Sequence, residues 1–249
     1  MNRKDSKNFT MKAMILAAGL GTRLKPFTDE HPKALVVVNG KTLLQRNIEY
    51  LANFGIKDVI INVHHFPEQI KETLEKNKGF GSNITVSDES DAILETGGGL
   101  KKAAWFLNDS DEPFVVINVD MLTDMNLKAM IDEHKNLQPV ATLAVTTRHT
   151  SRYFLFDEMS NLCGWKNEKT SEQKISREAT KFYSKAFSGI HVISPKIFSM
   201  IKMEGKFSMV DVYLEIAKTY AIKAFDHSNT KFIDVGKPES IAKAEELFN

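Results

Sequence analysis

The sequence predicts an α/β fold in which a mixed, mostly parallel sheet lies between layers of helices. Three observations predict it. Short apolar runs alternate with amphipathic helical patterns, a glycine-rich segment follows the first run, and strand patterns dominate after about residue 140. Repeated strand–helix units place parallel strands side by side with helices on both faces. Because ligands bind at the carboxyl ends of such strands, the residues after each apolar run are candidates for a functional site.

The first half of the chain contains apolar runs of strand length that alternate with helical patterns. The predicted strands are Met14–Ala17, Val59–Ile61, Ile84–Val86 and Phe114–Val119. The predicted helices are Leu43–Phe54, a segment that begins at Pro67, Gly99–Leu107 and Leu127–Leu137. Gly55 is typical of the residue that follows a helix, and Pro67 suits a first helical turn. Together these elements predict a Rossmann-like arrangement.

After residue 140 the strands are no longer separated by regular helices. The predicted strands are Val140–Val145, Tyr153–Phe156, Leu162–Trp165 and Ala186–Ile193, and helical patterns return at Met209–Tyr220 and after Pro238. Residues 166–181 are rich in charge and contain no glycine or proline, which predicts a solvated hairpin or flap. We interpret residues 1–10 as a polar, flexible N-terminal extension. Residues 11–249 then form a single domain with a small β-rich elaboration in its second half.

The composition argues against several classes of protein. Lysine and arginine total 33 against 32 acidic residues, so the chain lacks the positive field that nucleic-acid binding requires. Hydrophobic residues make up 42%, as in a globular protein rather than a disordered one. No apolar stretch approaches the roughly 18 residues of a membrane span. The only cysteine, Cys163, allows no internal disulfide and fits a reducing cytoplasm.

The glycine-rich segment is Leu16–Pro26, with the sequence LAAGLGTRLKP, and a Pro-Lys pair follows at residues 32–33. Backbone N–H groups of such a loop can cradle phosphate oxygens. Gly19 and Gly21 allow a close approach because they lack a Cβ atom. A dinucleotide-binding fingerprint would need glycine where Leu24 stands, and the Gly-Lys-Ser/Thr of a P-loop is absent. A tight strand-to-loop turn without a ligand is the alternative interpretation.

Four further motifs accompany this segment, namely Leu94–Gly99 (LETGGG), Asn118–Asp120 (NVD), Phe187–Ile190 (FSGI) and Ile233–Pro238 (IDVGKP). Together they resemble the signature of the sugar-1-phosphate nucleotidyltransferases, over nearly the whole chain. The compact N-acetylmuramate 1-phosphate uridylyltransferases are most similar, followed by the mannose- and heptose-1-phosphate guanylyltransferases. Val119 replaces a glycine of many members, Lys237 replaces a common threonine, and the Glu-Lys-Pro motif of larger relatives is missing.

The resemblance implies an activity and its partners. A nucleoside monophosphate would pass from a nucleoside triphosphate (NTP) to a sugar 1-phosphate, with Mg²⁺ as cofactor and pyrophosphate as the second product. Residues 11–139 would form a nucleotide-binding half and residues 140–249 a sugar-binding half. The enzyme would work in the cytoplasm as a monomer or a small homo-oligomer.

The resemblance also assigns residues. Arg23, Lys33 and Asp120 would be catalytic. Arg23 and Lys33 would hold the phosphates, which requires positive charge. Asp120 and Asp234 would bind the metal, because Mg²⁺ takes few carboxylates together with phosphate oxygens. The nucleotide-binding residues would be Leu16, Ala17, Ala18, Gly19, Gly21, Thr22, Arg23, Lys33, Asn62, Thr96, Gly97 and Gly98. The sugar-binding residues would be Glu95, Asn118 and Gly189.

Other interpretations stay open at the level of sequence. Aspartates after strands often cap helices, which is the structural alternative for Asp120 and Asp234. A glycosyltransferase of similar architecture usually carries an Asp-x-Asp motif after the metal-binding strand. Here Leu122 stands in place of the second aspartate of that motif. A non-catalytic relative should have lost at least one of the four charged residues of the predicted site. All four are present, namely Arg23, Lys33, Asp120 and Asp234. The base and the sugar are not determined, nor is a choline or polyol phosphate excluded. His64 and His65 are either ligand contacts or a pair of surface or half-buried histidines.

Overall fold

A computed structural model describes residues 11–248, and the extension predicted at residues 1–10 lies outside them. The strands are β1 (Lys12–Leu16), β2 (Val37–Val38), β3 (Lys41–Thr42), β4 (Asp58–Val63), β5 (Asn83–Asp88), β6 (Phe114–Asn118), β7 (Met121–Thr123), β8 (Ala141–Thr146), β9 (Arg152–Phe156), β10 (Leu162–Asn167), β11 (Glu172–Ile175), β12 (Tyr183–Ile193), β13 (Ile222–Asp226) and β14 (Phe232–Asp234). The helices are α1 (Leu43–Asn53), α2 (Pro67–Lys76), α3 (Glu95–Lys102), α4 (Ala104–Leu107), α5 (Leu127–Leu137), α6 (Ile197–Met200), α7 (Met209–Ala217) and α8 (Glu239–Leu247).

One mixed sheet organises the described chain, in the order β11-β10-β9-β12-β6-β1-β4-β5, with β8 beside β12 and β13 beside β8. The central strands β6, β1, β4 and β5 are parallel, and β12 is antiparallel to β6. This confirms the predicted α/β fold, with the antiparallel strands supplied by the second half of the chain. Leu16 lies opposite both Asn62 and Asn118, so three parallel strands end together at one edge of the sheet.

Side chains of the central strands alternate between two hydrophobic cores, one on each face of the sheet. Ile15 of β1 lies in the first core with Leu44 and Ile48 of α1. Its neighbour Met14 lies in the second core, where Tyr213 of α7 is buried. A fully buried apolar side chain of this size contributes roughly 1.5–3 kcal/mol. Helices on both faces therefore hold the strands, and with them the strand ends, in place.

Helix α3 begins at Glu95, earlier than the sequence pattern predicts. Its first turn contains Gly97 and Gly98, whose N–H groups donate to the Phe207 carbonyl at 2.9 and 3.2 Å. These are helix N-terminal donors that have no partner within the helix itself. A Cβ atom on Gly97 would lie 2.4 Å from the Phe207 ring, and one on Gly98 2.2 Å from the Gly205 carbonyl oxygen. Gly97 and Gly98 therefore allow the start of α3 to approach the loop before α7 closely.

The second half of the chain confirms the predicted hairpin. Strands β10 and β11 pair antiparallel, and Glu172–Ile175 is exposed throughout. Cys163 is fully buried, as a small core residue would be. The sequence pattern does not reveal β13, which pairs with β8, or the two-stranded sheet of β7 and β14. Among the helices of residues 11–248, none is long and apolar enough to cross a membrane.

Candidate active site

A cleft opens at the carboxyl edge of the parallel strands, with a volume of about 390 Å³. Its walls come from the loop after β1, the segments after β5 and β6, and the start of α3. The residues that line it are Leu16, Ala17, Ala18, Gly19, Leu20, Lys33, Asn62, Glu89, Ile93, Leu94, Glu95, Thr96, Asn118, Val119, Asp120 and Ser208. The cleft lies where the strand pattern predicts a ligand site.

Many of the predicted site residues line this cleft. The predicted nucleotide-binding residues among them are Leu16, Ala17, Ala18, Gly19, Lys33, Asn62 and Thr96. The other predicted residues in the lining are Asp120, Glu95 and Asn118. The predicted residues outside the lining are Gly21, Thr22, Arg23, Gly97, Gly98, Gly189 and Asp234. Several of these shape the cleft or carry charge beside it.

The loop after β1 folds through three short 3₁₀ turns, Thr22–Leu24, Phe27–Asp29 and Lys33–Leu35. Gly21 has a φ of 62°, which favours glycine, and a Cβ atom there would lie 2.8 Å from Thr28 Cγ2. The Thr28 hydroxyl donates to the Gly21 carbonyl at 2.9 Å. A Cβ atom on Gly19 would meet no atom of the described residues within 4 Å beyond its chain neighbours. Gly21 therefore shapes the loop, whereas Gly19 borders open space.

The antiparallel pair β7 and β14 brings Asp120 and Asp234 together. Asp234 lies opposite Met121, and the Val235 N–H donates to the Asp120 carbonyl at 2.9 Å. Burial raises the pKa of Asp234, and the negative charge of Asp120 raises it further. Asp234 Oδ1 is buried without a hydrogen-bond partner among residues 11–248. A cation would stabilise this pair of carboxylates.

Two basic side chains lie beside the aspartates. Lys33 Nζ forms an ion pair with Asp120 Oδ2, and only 12% of the lysine side chain is exposed. The positive charges of Lys33 and Arg23 act against the rise in the pKa of Asp234. Gly236 gives Arg23 room, because a Cβ atom there would lie 2.5 Å from Arg23 Nη2 and 2.6 Å from Asp234 Oδ1. The charged residues that the sequence assigns to catalysis and metal binding therefore share one site.

The aspartate pair fits a Mg²⁺ ion. Proteins hold Mg²⁺ with one or two carboxylates together with substrate phosphates and water. The buried Asp234 Oδ1 lacks a partner among residues 11–248, and a divalent cation would relieve its repulsion from Asp120. In the same part of the chain, no cluster of three or more His, Cys, Asp or Glu side chains is arranged to hold a metal.

Glu89 is a cleft residue that the sequence pattern does not reveal. It follows β5 in the polar run Ser87–Asp91, which is typical of an exposed loop, yet Glu89 is only 1% exposed. Its Oε1 accepts a hydrogen bond from Asn62 Nδ2 at 3.0 Å. Burial raises the pKa of Glu89, and the hydrogen bond from Asn62 opposes that rise. Only its position in the sequence could have indicated a site residue, because Glu89 directly follows a strand of the parallel sheet.

The start of α3 is tied to the start of α7 in the wall of the cleft. Thr96 Oγ1 accepts a hydrogen bond from the Met209 N–H at 2.9 Å. Glu95 has a φ of 59°, and its carboxylate lies 3.5 Å from Lys206 Nζ. Ser208, another cleft residue, caps α7 through its side chain. These contacts fix the position of Glu95 and Thr96 relative to the cleft.

Asn118 and Gly189 lie on the neighbouring strands β6 and β12. Gly189 has a φ of 70°, and a Cβ atom there would lie 2.8 Å from both Asn118 Nδ2 and Met121 Cγ. Gly189 is therefore behind Asn118 rather than in the lining of the cleft. It leaves the space in which the Asn118 side chain sits.

His64 and His65 are half-buried. A ring nitrogen of His64 lies 2.7 Å from the Glu89 carbonyl oxygen, and one of His65 lies 3.0 Å from the Thr28 carbonyl oxygen. Neither histidine belongs to the cleft lining. The structure thus uses both rings to tie loops together, in agreement with the interpretation of a half-buried pair.

Comparison with known proteins reveals extensive similarity. The family model described as nucleotidyl transferase matches residues 12–248. Mannose-1-phosphate guanyltransferase of Yarrowia lipolytica is 30% identical over 244 residues, which cover 96% of this chain and 64% of that protein. N-acetylmuramate alpha-1-phosphate uridylyltransferase of Caulobacter vibrioides is 30% identical over 213 residues, covering 82% of this chain and 84% of that protein. The chain thus spans less than two thirds of the first curated relatives it matches.

A solved structure shares the fold. HddC from Yersinia pseudotuberculosis, complexed with GMP-PN, superposes with a TM-score of 0.74 at 26% identity. The superposition covers 96% of this chain and 100% of HddC. Because the family model extends over nearly all of the described residues, the chain belongs to the nucleotidyl transferase family.

Proposed function

We propose that the protein transfers a nucleoside monophosphate from an NTP to a sugar 1-phosphate, forming a nucleoside diphosphate sugar and pyrophosphate. The observation that carries the proposal is the cluster of two basic and two acidic side chains beside a cleft at the strand ends. Two relatives at 30% identity bear the names of such transferases. Membership of the nucleotidyl transferase family supports the same class of reaction.

The proposed nucleophile needs no protein base. A phosphate monoester has a second pKa of about 6, so a sugar 1-phosphate is largely dianionic at neutral pH. One of its oxygens attacks the α-phosphorus of the NTP and forms a new P–O bond. The bond from the α-phosphorus to the bridging oxygen breaks, and pyrophosphate leaves with that electron pair. The task of the protein is to align two anions and to stabilise the charge of the transition state.

Lys33 and Arg23 supply positive charge in this proposal. Lys33 lines the cleft, and we assign it to the α-phosphate, where charge develops. Arg23 lies on the glycine-rich loop, and we assign it to the departing β- and γ-phosphates. Its planar guanidinium can donate two parallel hydrogen bonds to phosphate oxygens. Gly19 borders open space in the loop, so a phosphate group can approach the backbone closely there.

Asp120 and Asp234 would hold the Mg²⁺ ion of the proposed reaction. When bound, Mg²⁺ neutralises phosphate charge and orients the triphosphate. The β7–β14 pairing holds the two aspartates next to each other. Lys33 pairs with Asp120, which keeps its ammonium group beside the metal-binding aspartates. The chain thus presents its cations and carboxylates in one preorganised group.

The finer assignment is transfer from UTP to N-acetylmuramate 1-phosphate. It is supported by the Glu-Thr-Gly-Gly-Gly sequence and by the similarity to the uridylyltransferase of Caulobacter vibrioides. The match covers 84% of the length of that protein. The second candidate is transfer from GTP to mannose or heptose 1-phosphate. It is supported by the guanyltransferase of Yarrowia lipolytica and by the GMP-PN complex of HddC.

The test is pyrophosphate release with Mg²⁺, measured for UTP, GTP, CTP and dTTP. Each NTP is combined with the 1-phosphates of N-acetylmuramate, mannose, heptose, glucose and N-acetylglucosamine. We expect turnover with one clear pair, lost in Asp120→Asn and lost with EDTA. Asp132→Asn, which changes an exposed aspartate of α5 paired with Lys128, is the matched control and should keep wild-type turnover. If folded protein released no pyrophosphate with any of these pairs of NTP and sugar 1-phosphate, the proposal would be contradicted.

A further inference from the structure

Asp120 lies in a two-residue segment between β6 and β7, outside both strands. Strand β6 ends at Asn118, so its pairing with β1 stops before Val119 and Asp120. Both residues are buried, and buried backbone N–H and C=O groups need hydrogen-bond partners. The Val119 N–H donates to the Leu16 carbonyl at 3.1 Å, and the Asp120 carbonyl accepts from the Val235 N–H at 2.9 Å. The carbonyl of Val119, in the peptide that leads into Asp120, needs a further partner.

A side chain of helix α1 supplies that partner. Asn47 Nδ2 donates to the Val119 carbonyl at 2.8 Å and to the Leu43 carbonyl, one helical turn earlier, at 2.9 Å. Both acceptors are carbonyl oxygens, which cannot donate, so the NH₂ group of the amide must face them. One N–H bond of Asn47 is thus used within α1, and the other reaches across to the segment that carries Asp120.

The position of Asn47 in α1 is otherwise apolar. Leu43, Asn47 and Leu51 recur at four-residue spacing and share one face of the helix, and both leucines are fully buried. Asn47 itself is only 2% exposed. A leucine would continue this apolar row, whereas a buried amide costs free energy unless it is hydrogen-bonded. What the asparagine adds at this position is the bond to Val119.

The peptide that Asn47 holds leads directly to a carboxylate with a like charge beside it. The β7–β14 pairing places Asp120 and Asp234 next to each other, and like charges repel. The backbone around Asp120 must resist this repulsion when no cation is bound. Val235 holds the carbonyl of Asp120, and Asn47 holds the carbonyl of the residue before it.

We propose that Asn47 is a positioning residue for Asp120. Its amide fixes the peptide between Val119 and Asp120, and so holds the Asp120 carboxylate where it can bind Mg²⁺ together with Asp234. The inference rests on the proposed function, which takes both aspartates as metal ligands. Groups that orient a metal ligand are worth about 10- to 100-fold in metal affinity. Loss of the Asn47 donor should therefore weaken metal binding although every ligand remains.

Two variants remove this donor with opposite effects on packing. Asn47→Leu fills the apolar row and keeps a good helix former. Asn47→Ser has a smaller side chain, whose hydroxyl can bond to the Leu43 carbonyl within the helix but is one bond too short to replace the amide at Val119. A loss caused by packing would differ between the two variants, whereas a loss caused by the missing donor is common to both. Tyr50→Phe is the matched control, because the Tyr50 hydroxyl also ties α1 to a backbone carbonyl, that of Met125, at 2.8 Å.

The first measurement is binding of Mn²⁺ without NTP or sugar phosphate, followed by electron paramagnetic resonance. Mn²⁺ takes the same kind of oxygen ligands as Mg²⁺. We expect wild-type protein to bind Mn²⁺ at a site that Asp234→Asn removes, and both Asn47 variants to bind at least about tenfold more weakly. Tyr50→Phe should match the wild type. Wild-type affinity in either Asn47 variant, an equal loss in Tyr50→Phe, or a wild type without such a site would overturn the proposal.

A second measurement reports on the backbone and needs no metal. The Val235 N–H donates to the Asp120 carbonyl, so its hydrogen exchange depends on how firmly Asp120 is held. We expect exchange at least about tenfold faster in both Asn47 variants and unchanged in Tyr50→Phe. Wild-type exchange in either Asn47 variant would overturn the proposal. Because neither measurement needs a substrate, a protein that shows both effects but releases no pyrophosphate would contradict the proposed function alone.

Discussion

Asp234 is buried next to Asp120, and its Oδ1 has no hydrogen-bond partner among residues 11–248. Burial and like charge both disfavour its ionised form, so the residue costs stability in the metal-free protein. We expect Asp234→Asn to raise the free energy of unfolding at pH 8, where the aspartate is ionised. The same change should lower kcat/KM at least about 100-fold, because a metal ligand is lost.

Urea unfolding in EDTA, together with the pyrophosphate assay, checks this prediction. Asp226→Asn is the control, because Asp226 accepts hydrogen bonds from Lys185 Nζ at 2.6 Å and from the Ser228 N–H at 2.9 Å. That variant should not gain stability. A less stable Asp234→Asn protein would show that the aspartate has a structural role, as a helix cap does.

Among the individual residues, the sequence points to the charged side chains that the structure brings together beside the cleft, but it does not reveal Glu89. Lys33 and Asp120 belong to motifs whose chemistry is readable from residue type and from position after a strand. Glu89 lies in a run of polar residues, yet it is buried, and its hydrogen-bond partner Asn62 is distant along the chain. Gly97 and Gly98 lie outside the cleft lining, because their contacts are with the loop before α7.

Helix α3 and the glycine-rich loop both contain glycines, but the neighbours of those glycines differ. A Cβ atom on Gly98 would lie 2.2 Å from the Gly205 carbonyl oxygen, whereas one on Gly19 would meet nothing within 4 Å among the described residues beyond its chain neighbours. We expect Gly98→Ala to lower the free energy of unfolding by about 2 kcal/mol, because backbone must move. Gly19→Ala should change it by less than about 0.5 kcal/mol.

Gly19→Ala should instead weaken NTP binding at least about tenfold, because its methyl group would occupy space that the proposed function assigns to phosphate. Thermal unfolding and NTP titration of both variants check the two expectations. A Gly19→Ala protein with unchanged NTP affinity would argue that the loop only turns the chain. That is the alternative interpretation of the glycine-rich segment.

Among the elements, the longer strands and amphipathic helices are predictable, and those defined by tertiary contacts are not. The apolar runs of β1, β4 and β6 need only local composition to be recognised. Strands β7 and β14 have three residues each and exist because they pair with each other. The first turn of α3 escapes prediction because glycine is a poor helix former, and the Phe207 carbonyl supplies the missing partner.

The whole molecule buries several histidines in neutral form. Burial lowers the pKa of His191 to about 3 and is the main reason that the pKa of His134 and of His227 falls to about 4. The unfolded chain restores their ordinary value of about 6.5. Because the unfolded state then binds more protons, these groups lower the free energy of unfolding as pH falls from about 6.5 towards 4.

The His191→Gln variant isolates one of these contributions. A ring nitrogen of His191 lies 2.6 Å from the Tyr213 hydroxyl, and the glutamine amide can replace that hydrogen bond. Between pH 6 and pH 4.5, roughly the range below the ordinary histidine pKa, the wild type should lose stability faster than the variant. We expect the slopes to differ by about 1 kcal/mol per pH unit. Urea unfolding across this range gives both slopes, and equal slopes would contradict the assignment.

In the proposed reaction, a sugar phosphate oxygen attacks the α-phosphorus of an NTP at the site of Lys33, Asp120 and Asp234. The most direct test follows two radioactive labels, one on the α-phosphorus and one on the γ-phosphorus of the preferred NTP, with its sugar 1-phosphate and Mg²⁺. We expect the α label to appear in the nucleoside diphosphate sugar and the γ label in pyrophosphate. A γ label on the sugar, or an α label only in free nucleoside monophosphate, would contradict it.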